Sequence, residues 1–134
     1  MSDFLEHADL RVGMTVGPAR YAVEQPAIDA YRAAVAGGAG TNAEGGASTA
    51  PATFAAVYTR PALDLLPAPP GGVHAKQRYE FHGDVRAGDV VLTELTITAK
   101  YVKRGRKYVE MRTVSRSERT GRVAVGEITR IWAR

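Results

Sequence analysis

APATFAAVYTRPALDLL, residues 50 to 66, decides how this chain is read. Phe54, Ala55, Ala56, Val57 and Tyr58 leave no polar side at its head, and a helix without a polar side belongs in an interior. Pro61 bars Arg60 from the helical region, so the helix is expected to end or kink there. Burying a helix from all round takes a sheet that curls about it. The material for one begins just past the turn PAPPGG, residues 67 to 72.

From Val73 onward no helical period survives, and the remainder reads as four strands joined by tight turns. In the first, Tyr79 and Phe81 share one face while Lys76, Arg78, Glu80 and His82 share the other. The second runs from Val90 to Val102, with Val91, Leu95, Ile97, Ala99 and Tyr101 toward the core and Glu94, Thr96, Thr98 and Lys100 opposite. The third, Lys107 to Glu118, follows a turn at Gly105. The fourth, Arg122 to Ala133, follows a turn at Thr120–Gly121. It is apolar on both faces: Val123, Val125 and Ile131 stand on one, Ala124, Ile128 and Trp132 on the other. That places it in the middle of the sheet or at a subunit contact. Gly126 marks either a bulge or a close approach by the helix.

Upstream of the helix, Tyr21 and Val23 alternate with Arg20, Ala22 and Glu24, which predicts a strand within residues 11 to 24. Pro26 stands as a first helical residue, and Ile28, Tyr31 and Val35 recur at helical spacing before Gly37 and Gly38, which predicts a short amphipathic helix with a glycine stop. AGGAGTNAEGGASTA, residues 36 to 50, has no periodicity and little apolar surface, so a flexible loop is expected.

The chain has 134 residues, suiting one domain over its whole length. With no cysteine, disulfides, thiolate nucleophiles and cysteine-held metals are excluded. The start, MSDFLEHADL, has no cationic leader or apolar run, and no 18 consecutive residues are apolar, so an untethered cytoplasmic protein with no membrane partner is expected. Net charge is +4, and KYVKRGRK, residues 100 to 107, holds five of the Lys and Arg residues in eight positions. The cluster is either a solvated hairpin tip or a contact for phosphates. It lacks the several aromatics of a stacking platform, so no nucleic-acid partner is expected.

The order of these segments resembles the MaoC-like dehydratases and hydratases, in particular their N-terminal, non-catalytic half or subunit. The resemblance is carried by VGPARYAVEQPAIDAYRAAVAGG, by APATF at the head of the helix (the family's "APPTF"), by VHAKQRYEFHGDVRAGDVV (its "VHGDQ" and "RPVRAGD"), and by the closing GRKYVEMRTVSRSERTGRVAVGEITRIWAR. It implies an α+β hot-dog fold, a curled antiparallel sheet wrapped around one long apolar helix. It further implies an acyl-thioester substrate carried on coenzyme A or acyl carrier protein, with no other cofactor. A homodimer, or a heterodimer with a catalytic MaoC-like subunit, is implied as well. The sequence departs from the family after the first helix, where "GD" and "P-x-Y-x-D-P-E-A" give way to AGGAGTNAEGGASTA. It also lacks the proline before "RAGD".

Family enzymes that hydrate an enoyl thioester carry an Asp followed five residues later by His, which orients and deprotonates a water, while a backbone N–H at the helix polarises the carbonyl. Five residues after Asp3, Asp9, Asp29, Asp64, Asp84 and Asp89 stand Ala8, Met14, Ala34, Pro69, Asp89 and Glu94. No pair exists, so no catalytic residue is assigned and a partner is expected to supply the dyad. His74 and His82 lie about 26 Å apart along an extended strand, too far for one metal ion. His82 reads as a surface residue beside Glu80. His74 matches the "VHGDQ" histidine and is either a substrate-positioning group or a half-exposed strand residue. Thr53, Phe54 and Tyr58 are candidates to line an acyl tunnel, although the hydroxyls of Thr53 and Tyr58 are as readily satisfied by backbone. Arg104 and Arg106 are candidates for the carrier's phosphates. Two other readings stay open. One is a homodimeric thioesterase or dehydratase using Asp64, Glu80 or His74; the other is a non-catalytic acyl-thioester binding protein.

Overall fold

The computed structural model describes residues 4–35 and 48–134. Five strands form one open antiparallel sheet: β1 (Thr15–Ala22), β2 (Val73–Phe81), β3 (Val90–Lys103), β4 (Arg106–Ser117) and β5 (Gly121–Trp132). Their order is β1-β3-β4-β5-β2. Helix α1 (Gln25–Val35) follows β1, and a helical path follows it: a 3-10 turn at Ala52–Phe54, then α2 (Ala55–Tyr58) and α3 (Arg60–Leu63). The sheet's inner face covers that path, as in a hot-dog fold.

The path is not one long helix apolar all round. Ala55, Tyr58, Thr59, Ala62 and Leu66 are buried, whereas Ala52, Thr53 and Ala56 are exposed. In a single chain the sheet covers one side only, and small alanines tolerate exposure on the other. The break falls at Thr59. Its hydroxyl donates back to the Ala55 carbonyl at 2.7 Å, a bond that bends helices, and Pro61 removes a backbone N–H one step later.

Two buried clusters fill the interior. Phe54, Tyr58, Ile28, Val91 and Val123 pack at the start of the path. Ala62, Leu66, Leu95, Ile97, Val109, Met111, Ile128 and Trp132 pack at its end. Burying one such Leu, Ile or Phe stabilises the fold by about 1.5–3 kcal/mol.

Two sequence expectations are corrected. In β3 a bulge between Ile97 and Ala99 shifts the pleat. Lys100 therefore sits opposite buried Val109, its ammonium donating to the Leu10 carbonyl at 2.8 Å. Tyr101 turns outward, to stack on Tyr108 with ring centroids 5.1 Å apart. In α1 the buried stripe stops short: Ile28 is buried, but Val35 is 67% exposed, with no described residue packed over the last turn. The expected flexible loop, residues 36–50, lies outside the described residues for 36–47. Its end is held, since Ala87 N–H donates to the Ser48 carbonyl at 2.8 Å and Ala50 N–H to that of Val85 at 2.7 Å.

β5 lies between β4 and β2, as its two apolar faces require. Gly126 marks a close approach, but by a strand and not by the helix. A Cβ there would stand 2.6 Å from Tyr79 Cε1 and 2.4 Å from Thr113 Oγ1.

The connection from β2 to β3 is closed by charge. Arg119 Nε and Nη2 donate to the two carboxylate oxygens of Asp89 at 2.9 and 3.1 Å, and Nη2 reaches Asp84 Oδ1 at 3.1 Å. Arg86 Nε donates to Asp84 Oδ2 at 3.0 Å, and Arg86 N–H to Asp89 Oδ2 at 2.9 Å. Burial pushes the Asp89 carboxyl up, but the bonds from Arg119 and from the Arg86 backbone outweigh it and the pKa is lowered. The Arg119 bond, chiefly, lowers that of Asp84. A carboxylate depressed in the folded state lends stability above its unfolded pKa and loses it as pH falls through the folded one.

Two measurements check these contacts. Gly126→Ala is expected to lower stability by about 1–3 kcal/mol, the usual range for overpacking, in urea unfolding; an unchanged midpoint would show that the Tyr79 ring swings clear. Arg119→Ala is expected to lower the midpoint at neutral pH, with the difference from wild type shrinking as Asp84 and Asp89 protonate in acid. A difference that stays constant into acid would rule out the clasp as its source.

Candidate functional site

At the start of the helical path lies a recess of about 240 Å³, bordered by Pro51, Ala52, Tyr58, Phe81, Asp84 and Val85. The turn at residues 83–89 forms one wall and is held in place by the Arg119 clasp. Phe54 lies beneath, fully buried and ringed by tyrosines, with centroids 6.1 Å from Tyr21, 5.4 Å from Tyr31 and 6.4 Å from Tyr58. Edge-to-face pairs of this kind fix ring positions as well as burying area.

The hydroxyls around this recess are ordered. Tyr31 donates to Thr53 Oγ1 at 2.7 Å, so Thr53 is tied to α1. Thr59 gives its proton to the Ala55 carbonyl. The 3.0 Å contact between Thr59 Oγ1 and Tyr79 therefore has the phenol of Tyr79 as donor. Burial, then the neighbouring Tyr79, pushes the Tyr58 phenol far up, so Tyr58 faces the recess as a neutral hydroxyl. Asp84 is the one carboxylate on the recess wall among the described residues. It is held ionised between Arg119 and Arg86.

A second recess, about 530 Å³, opens at the other end of the path. Leu63, Leu66 and Pro67 form its apolar wall, and Arg60, Asp64, His74 and Arg130 line the rest. Burial first, then the charges of Arg130 and Arg60, push the His74 imidazole below its ordinary value. His74 thus stands apart from Thr53, Phe54 and Tyr58. Arg104 and Arg106 border neither recess. They are exposed at the β3–β4 turn, where Arg104 and Gly105 adopt φ of +52° and +75°, the geometry of a two-residue hairpin loop. His82 contacts Glu80 at 3.1 Å on the outer face.

Sequence reasoning passed over Arg130, Arg119 and the third histidine. Arg130 carried a signal: it falls between Ile128 and Trp132 on the core-facing side of β5, where a cation is out of place. His7 is buried, with Nε2 3.0 Å from the Tyr108 carbonyl, and fastens the N-terminal turn to β4. Among the described residues no group of three or more His, Cys, Asp or Glu side chains is placed to hold a metal, and no helix is long and apolar enough to cross a membrane.

Comparison with known proteins agrees with this geometry. No curated protein sequence matches the chain significantly. Among solved structures, the R-hydratase PhaJ1 from Pseudomonas aeruginosa is 22% identical and superposes with a TM-score of 0.73 over 95% of this chain and 84% of its own. The MaoC-like dehydratase from Rhodospirillum rubrum is 23% identical, with a TM-score of 0.72 over 97% and 98%. The HadBC (3R-hydroxyacyl-ACP dehydratase) complex from Mycobacterium tuberculosis is 23% identical, with a TM-score of 0.69 over 90% and 96%. Residues 11–125 match the family described as FAS1-like, dehydratase domain region, and since that match spans most of a chain folded as a MaoC-like hot dog, the protein belongs to that dehydratase family.

Proposed function

We propose that this chain is a MaoC-like subunit of an acyl-thioester hydratase or 3-hydroxyacyl dehydratase, one that holds the thioester and shapes its tunnel while a partner subunit supplies the Asp/His pair. The observation that carries this reading is the pairing at the helix-start recess, whose carboxylate, Asp84, is bound by both Arg119 and Arg86. Hydration needs a base to take a proton from water and an acid to deliver one to the carbon next to the carbonyl, each with a pKa near the working pH. Asp84 is too weak a base, being paired with two arginines, and the Tyr58 phenol is too weak an acid, being buried. What remains is a binding surface with a neutral donor at Tyr58 and an apolar side chain at Phe81, steadied by Thr53 and the buried Phe54 behind it. Arg104 and Arg106 offer charge to the carrier's phosphates from the exposed tip.

The need for a partner has support in the sheet. β2 is exposed along its whole length except at Tyr79, and it forms one edge of the sheet. Val73 and Phe81 on it are 54% and 44% exposed. An edge strand with unpaired backbone groups and exposed apolar side chains is a template for another strand. The HadBC relative is itself a complex of subunits.

The purified chain is expected to show no hydration of crotonyl-CoA, and activity is expected once a hot-dog subunit bearing the Asp/His pair is added. Enzyme-like turnover by the chain alone would sink this reading. In sedimentation, Phe81→Glu is expected to weaken the association that restores activity; an unaltered complex would move the interface away from β2.

A further inference from the structure

Arg130 projects from β5 into the recess at the end of the helical path, and its position there is unusual. Its Nε is buried and has no hydrogen-bond partner among the described residues. Its guanidinium carbon lies 5.5 Å from the centroid of the Trp132 ring. The ring favours the positive charge but accepts no hydrogen bond in the guanidinium plane. Buried donors in native proteins are nearly always paired, and Arg130, whose Nε is left without a partner, is also a lining residue of the recess.

The arginines outnumber the carboxylates around the recess among the described residues. Arg60 lies on the same recess from α3 and His74 from β2. Asp64 is the only carboxylate lining it among the described residues, and it already accepts from Arg60 Nε at 3.1 Å. Two guanidiniums therefore face a single carboxylate, with an imidazole between strand and helix. The remaining wall, Leu63, Leu66 and Pro67, is apolar.

We propose that Arg130, Arg60 and His74 form a binding site for the oxyanion head, carboxylate or phosphate-type, of a small amphiphilic molecule whose apolar part lies along Leu63, Leu66 and Pro67. The guanidinium fork of Arg130 supplies the directed contacts, because a planar fork matches two oxygens of either head group. Arg60, 72% exposed along its side chain, adds charge at the mouth and leaves Asp64 to take up the ligand. His74 adjusts affinity with pH. An anion opposes the two arginines that depress its pKa, so binding raises that pKa, and by linkage affinity falls as pH rises through it. The charged groups facing His74 are Arg130 from β5 and Arg60 and Asp64 from the helical path.

The site shares no lining residue with the helix-start recess and does not rest on the hydratase reading, so either can fail alone. The test is a titration of the full chain with sulfate, whose charge is fixed across the pH range used, and separately with hexanoate. The ring resonances of the three histidines are followed by NMR at constant ionic strength. A saturable shift of His74, but not of His7 or His82, is expected. Affinity should fall by about tenfold or more in Arg130→Gln, stay unchanged in Arg116→Gln, an exposed position near the far end of β4, and weaken between about pH 5 and 8. Tighter sulfate marks a phosphate-type head; tighter hexanoate marks a carboxylate with an apolar tail. No saturable shift with either anion, or wild-type affinity in Arg130→Gln, overturns the proposal. Should Arg130→Gln fail to fold, the exposed Arg60→Gln replaces it, and unchanged affinity there is equally fatal.

Discussion

Everything in this molecule depends on how closely the sheet approaches one side of a short helical path. That side presents Ala55, Thr59 and Ala62, all fully buried and all small. Small side chains let the sheet curl over the backbone, and large ones then fill the space at either end: Phe54 and Tyr58 before the break, Leu66 against Leu95 and Ile97 after it. Thr59 is the pivot. Its hydroxyl serves the Ala55 carbonyl and receives the Tyr79 phenol, so one side chain fixes both the bend of the path and the distance to β2. Tyr79 in turn lies flat across Gly126 on β5, a position where only a missing side chain leaves room. Helix, edge strand and inner strand are thus coupled through three residues.

This packing also determines what chemistry is left over. The turn after β2 must return the chain to β3, and its two aspartates are consumed in doing so by Arg119 and Arg86. A bidentate arginine pair at a mostly buried carboxylate is geometrically specific, and it fixes the ionisation of Asp89 along with its position. Asp84, the carboxylate nearest the helix start, is therefore structural before it is anything else. The same residues that hold the recess wall in place also lower the pKa of its Asp84 carboxyl.

Much of this was legible from residue order. Period-two alternation located β1, β2 and β3, the glycine turns bounded β4 and β5, and the apolar head of residues 50–66 located the helical path. The two glycine turns, at Gly105 and Gly121, fall where expected. What period alone cannot show is a change of phase within a strand. The bulge at Thr98 turned Tyr101 outward and brought Lys100 in, and it left no mark in the alternation because Lys100 reaches a carbonyl with its ammonium while its stem lies in the interior. The site was less legible. Candidate residues close in the family motifs, Tyr58 and His74, proved to border different recesses, because the helical path separates its own two ends. The Arg119 clasp joins positions 30 and 35 residues apart, beyond any local pattern.

The two ends of the path face opposite electrostatic problems, and each is answered by residues outside the helix. At the start, a buried phenol and an arginine-held carboxylate produce a recess that is polar but inert toward protons near neutrality. At the end, arginines from β5 and α3 and an imidazole from β2 converge on a wall of leucine and proline, with one carboxylate among the described residues there. Burial and its neighbour Arg60 lower the pKa of Arg130 itself, yet a guanidinium stays charged in any case. A fold that needed only to be stable would favour an apolar residue there, between Ile128 and Trp132, because a buried donor without an acceptor opposes stability. The arginine is most simply understood through what it can receive.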